Sequence, residues 1–293
     1  LHQSQMKNQL KKPIAFNTLP EIPGVYVMKD AEGRFLYIGK AGNLRRRVAS
    51  YFTRPHDARI EKLVRSIEAL EFHPTDTALE ALILEAKLIK EYQPPFNIRE
   101  KDDKSFLFIE ISEDEFSQVL LVRGTEKDSG ERFGPFISAV SIRKALKIIR
   151  KIFPFSIHSA STVGTFKKPC FDYQIGLCPG TCIGEISAKE YRKTVRNIRL
   201  FLEGKKTQVV RLLKREMKDA STKLQFEEAA RLKGQLFALQ HIRDVSLIGE
   251  SEPVELGDKT LHRIEGYDIS HISGTSAVGS MVVFYNDIPA KSE

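Results

Sequence analysis

Tyr26 and Tyr37 stand on two short apolar runs, Val25 to Met28 and Phe35 to Ile38, joined by a polar Lys-Asp-Ala-Glu-Gly-Arg turn. Gly39 and Lys40 follow at once, and Arg45, Arg46 and Arg47 come soon after. Residues 38–65 hold 8 Lys and Arg against 2 Asp and Glu. Further along, Glu85 has Ala81 and Leu82 one helical turn before it and Leu88 and Ile89 one turn after, which puts it within an apolar helix face. An unpaired carboxylate there is costly, so an arginine or a divalent metal must meet it. Glu80 and Glu91 need no such account. A carboxylate-held metal, a phenol and an arginine are sufficient for phosphodiester hydrolysis. The metal neutralises developing charge, the phenol or a metal-bound hydroxide activates water, and the planar guanidinium grips phosphate.

The elements that must position these groups follow from periodicity. Residues 24–29 and 35–39 read as strands, 42–52 and 57–69 as helices, 71–75 as a strand, and 77–92 as a helix ended by Pro94-Pro95. Residues 106–111 and 118–123 alternate like an antiparallel pair, and 139–152 is a basic amphipathic helix. Residues 153–185 are turn-rich and hold all three cysteines. From 187 to 243 the pattern is helical almost throughout. Val209, Leu212, Leu213, Met217, Ala220 and Leu224 recur at helical spacing, as do Phe226, Ala229, Ala230, Leu232, Leu236 and Leu239, which predicts an antiparallel hairpin. Residues 246–260 read as a linker, and 263–270 and 278–285 as strands.

The 293 residues are enough for two or three domains, and the net charge is +8. The sign is segregated: residues 141–218 hold 18 basic against 5 acidic groups, and residues 219–293 hold 7 against 12. That asymmetry favours a polyanionic partner over ordinary solvated helix faces. No apolar run approaches the roughly 20 residues that span a bilayer, so no membrane role is expected. An odd cysteine count argues for a reducing cytoplasm. The start at Leu1 and the end on a charged tripeptide just past a strand-like run give the chain the look of a fragment.

"GVY" at 24–26, "YIGKAGNLRRRV" at 37–48 and "LEALILEAKLIKEYQPPFN" at 79–97 resemble the GIY-YIG nuclease domain, and more closely that domain at the head of the UvrC family, incision subunits of bacterial nucleotide excision repair. The resemblance runs from about residue 17 to the end. It implies an α+β chain: a GIY-YIG β-β-α-α-β-α domain at 17–100, a cysteine-containing basic linker domain at 101–200, a UVR helical hairpin at 201–244, and a linker with a truncated start of an RNase H-like domain at 245–293. At the matching positions Tyr26 and Tyr37 would be the motif tyrosines, with Tyr37 or its water as general base. Gly39 would let the backbone approach the substrate. Lys40 and Arg47 would contact the phosphate or the leaving group, and Tyr51 would line the site. Glu85 would hold one divalent cation, Mg²⁺ or Mn²⁺, and Asn97 would close the pocket. Arg45 and Arg46 would contact DNA non-specifically or face solvent.

Cys170, Cys178 and Cys182 are separated by gaps of seven and three residues. From spacing alone they are equally small buried thiols in a turn, and the C-x-x-C knuckle that zinc favours is absent. The UvrC resemblance, supported by the runs at Phe133 to Phe136 and Phe153 to Phe155, implies a [4Fe–4S] cluster in this region. His158 stands where the first of four cysteines is expected. Imidazole could be the fourth ligand, or the cluster could be lost or labile. "LLKREMKDASTKLQFEEAARLKGQLFALQ", 212–240, resembles the UVR motif, which implies binding to the UvrB helicase through Phe226, Ala229, Ala230 and Leu236; Gly234 departs from the motif. "RIEGYDISHISG" places Asp268 mid-strand and resembles the opening of the RNase H-like domain that makes the 5′ incision. A piece this short is expected to be unfolded or poorly packed, and inactive.

The resulting expectation is an excinuclease subunit that cuts damaged double-stranded DNA on the 3′ side of the lesion after recruitment by UvrB. Two rivals are a UvrC-like single-incision nuclease and a module that binds DNA and UvrB without cutting. Tyr37, Arg47 and Glu85 speak against the second rival; the UVR hairpin and the Asp268 strand speak against the first.

Overall fold

A computed structural model describes residues 8–11, 16–53, 58–97, 106–124, 130–242, 263–272, 276–285 and 288–289. The first tyrosine-bearing runs pair as an antiparallel hairpin of β2 (Gly24–Lys29) and β3 (Phe35–Ala41), after a short edge strand β1 (Asn8–Lys11). Asp30 makes the turn: its Oδ1 accepts the backbone N–H groups of Glu32 and Arg34, and Gly33 takes the left-handed conformation at φ 79°. Helices α1 (Leu44–Thr53) and α2 (Ala58–Ser66), strand β4 (Ala69–Pro74) and helix α3 (Ala78–Tyr92) complete the unit. The sheet order is β1-β4-β2-β3, all neighbours antiparallel. The expected β-β-α-α-β-α order is therefore present, with β1 added. Nothing in the sequence pattern marked β1, because an edge strand is held by backbone bonds to its neighbour and needs no alternating apolar face.

All six residues of β2 are buried, because it is central and covered on both faces. Val25 and Val27 pack with Ile38, Ala81 and Ile89 on the α3 side. Tyr26 and Met28 pack with Leu44, Val48, Tyr51, Leu63 and Leu70 on the α1 and α2 side. Thr77 caps α3 by accepting the Glu80 N–H.

The opposite side of α3 belongs to a second core. Leu79, Leu82, Ile83 and Ala86 join Ile109, Ile142, Tyr191, Leu202, Leu213 and Leu239 in one apolar cluster. That cluster is built from β5 (Leu107–Ser112), β6 (Val119–Arg123), β7 (Gly130–Phe136), α4 (Ala139–Ile152), α6 (Ala188–Leu202), α7 (Lys206–Thr222) and α8 (Phe226–Gln240), while a one-turn α5 (Phe171–Gln174) between α4 and α6 adds no buried residue. The sheet order is β6-β5-β7. β7 was not among the expected strands: Gly130, Gly134 and Pro135 are poor strand formers, yet the segment pairs along β5 with one register shift. The helix at 139–152 appears with the expected ends. Residues 1–252 form one compact unit.

Residues 253–293 form a separate unit. There β8 (Arg263–Ile272) and β9 (Ser276–Tyr285) pair in continuous register, and the short β10 (Ile288–Pro289) joins β9. The expectation was an unfolded or poorly packed piece; β8 and β9 are paired rather than unfolded, with the outer edge of β8 unpaired among the described residues. Packing is thin as expected, with Tyr267, Ile269, Met281 and Val282 exposed and Val283 buried. The linker read at 246–260 and the Asp268 side chain lie outside the described residues. No helix among the described residues is long and apolar enough to cross a membrane.

Candidate functional site

β3 is the edge of its sheet, so every second backbone group points away from β2 and needs another partner. Three residues from two segments provide them. The Ile38 N–H donates to Asn97 Oδ1 at 2.8 Å, and Asn97 Nδ2 donates to the Ile38 carbonyl at 2.7 Å. The Phe96 N–H donates to the Leu36 carbonyl. The Lys40 N–H donates to Glu85 Oε1 at 2.9 Å. Glu85 thus lies on the sheet-facing stripe of α3, between Ala81 and Ile89, with its head at the end of β3.

On the other face of β3, Tyr26, Tyr37 and Tyr51 form a three-ring cluster with centroid separations of 5.9 to 6.2 Å. The Tyr26 and Tyr51 hydroxyls are 2.9 Å apart. Arg47 donates to both at 3.4 Å and stacks its guanidinium over the Tyr51 ring. Gly39 sits opposite Tyr26 in the register, and the Tyr26 phenol fills the space a side chain would take there. This explains Gly39 without any approach of the backbone to a substrate.

Tyr26, Tyr37, Lys40, Arg47, Tyr51, Glu85, Asn97 and Gly39 therefore converge at one edge. Arg45 does not join them: its Nε donates to the Leu19 carbonyl and its Nη1 to Glu21, so it ties α1 to the preceding segment. Arg46 is exposed, with its N–H capped by Asn43.

Burial pushes the Glu85 carboxyl from the ordinary 4.5 up to about 7, against the opposing pull of the Lys40 charge, the Lys40 N–H and the Arg47 charge. Tyr26 and Tyr37 are also raised well above 10, first by burial and then by Tyr51; Glu85 adds to the rise at Tyr37. Burial pulls the Arg47 guanidinium down, but Tyr26, Tyr51 and Tyr37 outweigh it and keep it charged. Lys40 and Arg47 thus offset only part of the burial of Glu85, so a further positive charge beside it would be favoured. A raised carboxyl contributes stability that is complete below about pH 4.5 and is lost as pH rises through about 7. Without metal, melting curves of the native chain should therefore fall between pH 5.5 and 8.5 by ~2 kcal/mol relative to Glu85→Gln. Added Mg²⁺ should restore the native chain, but not the variant, at pH 8.5. Parallel pH profiles for the two proteins would contradict this electrostatic account.

The second constellation is His158, Cys170, Cys178 and Cys182, whose donor atoms all lie within 4.8 Å of one another. His158 Nε2 is 3.4 Å from Cys170 Sγ. All three thiols are free of disulfides. Burial pushes Cys170 up to about 11. Burial also pushes Cys178 up, but the Thr181 hydroxyl and the Gly180 and Cys182 N–H groups bring it below the ordinary thiol value. Arg150 of the basic helix is committed to this loop through Asp172 at 2.9 Å.

In the α7–α8 hairpin, Phe226 is 64% exposed, Ala230 is exposed and Ala229 is half-buried. Leu236 is buried in the shared cluster, which corrects its reading as a partner contact: it points toward the protein's own core. The exposed apolar side chains that sequence reasoning missed are Leu224 at 71% and Phe237 at 63%. Phe226, Ala230, Gly234 and Phe237 fall at i, i+4, i+8 and i+11, so helical spacing from Phe226 would have found Phe237. α8 runs unbroken through Gly234, an exposed position with open space beside it.

Family models match four successive stretches: UvrC-like GIY-YIG domain at 22–98, UvrC/Cho excinuclease middle domain at 106–201, UvrB/uvrC motif at 207–242, and UvrC RNAse H endonuclease domain at 254–293. The UvrABC system protein C of Caldanaerobacter subterraneus subsp. tengcongensis is 40% identical over 263 residues, 87% of this chain and 42% of that protein. The protein of the same name from Moorella thermoacetica is 40% identical over 225 residues, covering 76% and 37%. The chain thus spans less than half the length of these relatives. Among solved structures, the N-terminal endonuclease domain of UvrC from Thermotoga maritima, bound to its catalytic magnesium, is 38% identical over 28% of this chain and 91% of that one, with a TM-score of 0.27.

Proposed function

We propose, from the premise that this chain belongs to the UvrC family, that its N-terminal domain cuts one DNA phosphodiester on the 3′ side of a lesion. The observation that carries the reading is Glu85: a carboxylate 7% exposed, raised despite Lys40 and Arg47, at the edge where three phenols and a guanidinium meet. Its oxygens suit a hard divalent cation such as Mg²⁺ or Mn²⁺. Such an ion supplies neutralisation of the phosphate and a water made more acidic.

The chain's own residues do the rest. Arg47 grips a non-bridging phosphate oxygen, and its bonds to Tyr26 and Tyr51 fix the angle of the fork. Tyr37, held protonated beside Glu85, orients the attacking water, and it becomes a competent base only as the negative charge of Glu85 is offset. Lys40 places its charge beside the leaving oxygen while its N–H keeps Glu85 in position. Asn97 holds β3 flat by closing its edge. The direct test is nicking of a lesion-bearing duplex loaded with UvrB, in Mg²⁺, followed at the 3′ side. Absence of any metal-dependent nick would overturn the reading.

Recruitment rests on α8. Phe226, Ala230 and Phe237 offer UvrB a surface that the hairpin does not bury on its own core, with the half-buried Ala229 at its margin. Phe226→Ala with Phe237→Ala should weaken UvrB binding at least about tenfold, by calorimetry or pull-down titration, with little change in melting temperature. An unchanged affinity would move the interface elsewhere. The exposed basic side chains Arg143, Lys147 and Lys151 on α4 are available to the DNA backbone, in the cytoplasm where this repair takes place. Asp268 on β8 is the first carboxylate of the second, 5′ incision site in this reading. The His158–Cys182 loop has a structural rather than a hydrolytic part, and a [4Fe–4S] cluster is the occupant that the resemblance implies for it.

A further inference from the structure

We propose that His158, Cys170, Cys178 and Cys182 hold a single tetrahedral divalent cation of zinc type, and not a four-iron cluster. Size separates the two occupants, whatever the N-terminal domain cuts. A cubane interposes a body of four irons and four sulfides between its ligands, so its terminal donors stand on the order of 6 Å apart. Here all four donor atoms lie within 4.8 Å of one another, and His158 Nε2 approaches Cys170 Sγ to 3.4 Å. A lone tetrahedral ion with bonds of about 2.0 to 2.3 Å sets its nitrogen–sulfur and sulfur–sulfur edges at about 3.5 and 3.8 Å. Donors no more than 4.8 Å apart lie nearer the smaller cage than the larger one.

The surroundings support a closed, structural site. Four protein donors leave no open position for substrate. The Gly180 and Cys182 N–H groups donate to Cys178 Sγ, the arrangement that stabilises a metal-bound thiolate. A chain of hydrogen bonds fixes the loop behind the donors. The Thr181 hydroxyl and the His158 N–H both donate to Ser156 Oγ, the Ser156 N–H donates to the Tyr191 hydroxyl, and Tyr191 donates to the Ser117 carbonyl. Ser156, Thr181 and Tyr191 are fully buried. The loop in front has little apolar support: Ile157, Phe166, Phe171 and Ile175 are all exposed. A cation is what such a loop needs in place of a core. Binding displaces a proton from each thiol that is protonated beforehand, with no change of oxidation state.

The test uses the full chain, produced with both zinc and iron in the medium and purified anaerobically without chelator. Elemental analysis should find about one zinc per chain, with neither iron nor acid-labile sulfide in stoichiometric amount and no absorbance shoulder near 400 nm. Exchange for Co²⁺ should give the intense ligand-field bands of a tetrahedral thiolate site at roughly 600–750 nm, shifted in His158→Ala. About four irons and four sulfides per chain would overturn the proposal. So would a chain that carries no metal and takes up no Co²⁺, or a Co²⁺ spectrum that ignores His158.

Discussion

Glu85→Ala should leave the chain folded and lower metal-dependent nicking by at least about 10³-fold, with Glu85→Gln close behind. The carboxylate is small in volume and lies at a sheet edge, so truncation exposes one backbone N–H, that of Lys40, and opens little core. What is lost is charge. Gln keeps an acceptor for the Lys40 N–H but cannot neutralise a divalent cation, so the pair of variants separates positioning from metal binding. Melting in chelator should show Gln no less stable than the native chain at alkaline pH, because a buried anion has been removed. Retained nicking in either variant, on a helicase-loaded damaged duplex, would show that Glu85 is a satisfied structural carboxylate and that incision depends on another site.

Gly39→Ala should be the most disruptive single methyl in this domain. The added Cβ would stand 2.5 Å from Tyr26 Cζ, nearer still to its oxygen, and 2.9 Å from Tyr37 Cε1. The Tyr26 ring has no exposure and no free direction to move: its hydroxyl is bound to Tyr51 and approached by Arg47. Either the strand shifts or the phenol cluster breaks, at a cost of about 2–4 kcal/mol. Nicking should fall at least about 10²-fold even where the protein stays folded, because Arg47 loses the oxygens that aim it. The same substitution at Gly33, in the open turn, should cost about 1 kcal/mol through its positive φ and leave nicking unchanged. If Gly39→Ala cuts and melts like the native chain, the phenol cluster is not rigid and the mechanism loses its basis in preorganisation.

The residue types that do chemistry were legible in the sequence. Helical spacing alone put Glu85 among apolar neighbours, and a carboxylate so placed demands a cation whatever the fold. Alternation and helical period were enough for the first unit's strands and helices and for the α7–α8 hairpin, because local burial sets those periods. What the sequence could not carry is direction around an element that is buried on several sides. Arg45 and Arg47 are two residues apart, yet one ties α1 to Glu21 and the other aims at the phenols. Leu236 and Phe237 are adjacent, yet one is core and the other is exposed.

The tertiary structure also decided matters of distance. Chain spacing constrains four donors only loosely, since a loop from 158 to 182 can close on a small ion or a large cluster; the fold brings the four donor atoms within 4.8 Å of one another. The strand β7 and the role of Gly39 are of the same kind, set by what a neighbouring strand or ring requires of the space. Composition and periodicity act along the chain and so determined which groups this protein has and which elements bear them. Contacts between distant segments, set by packing, determined which of those groups meet and how much room is left between them.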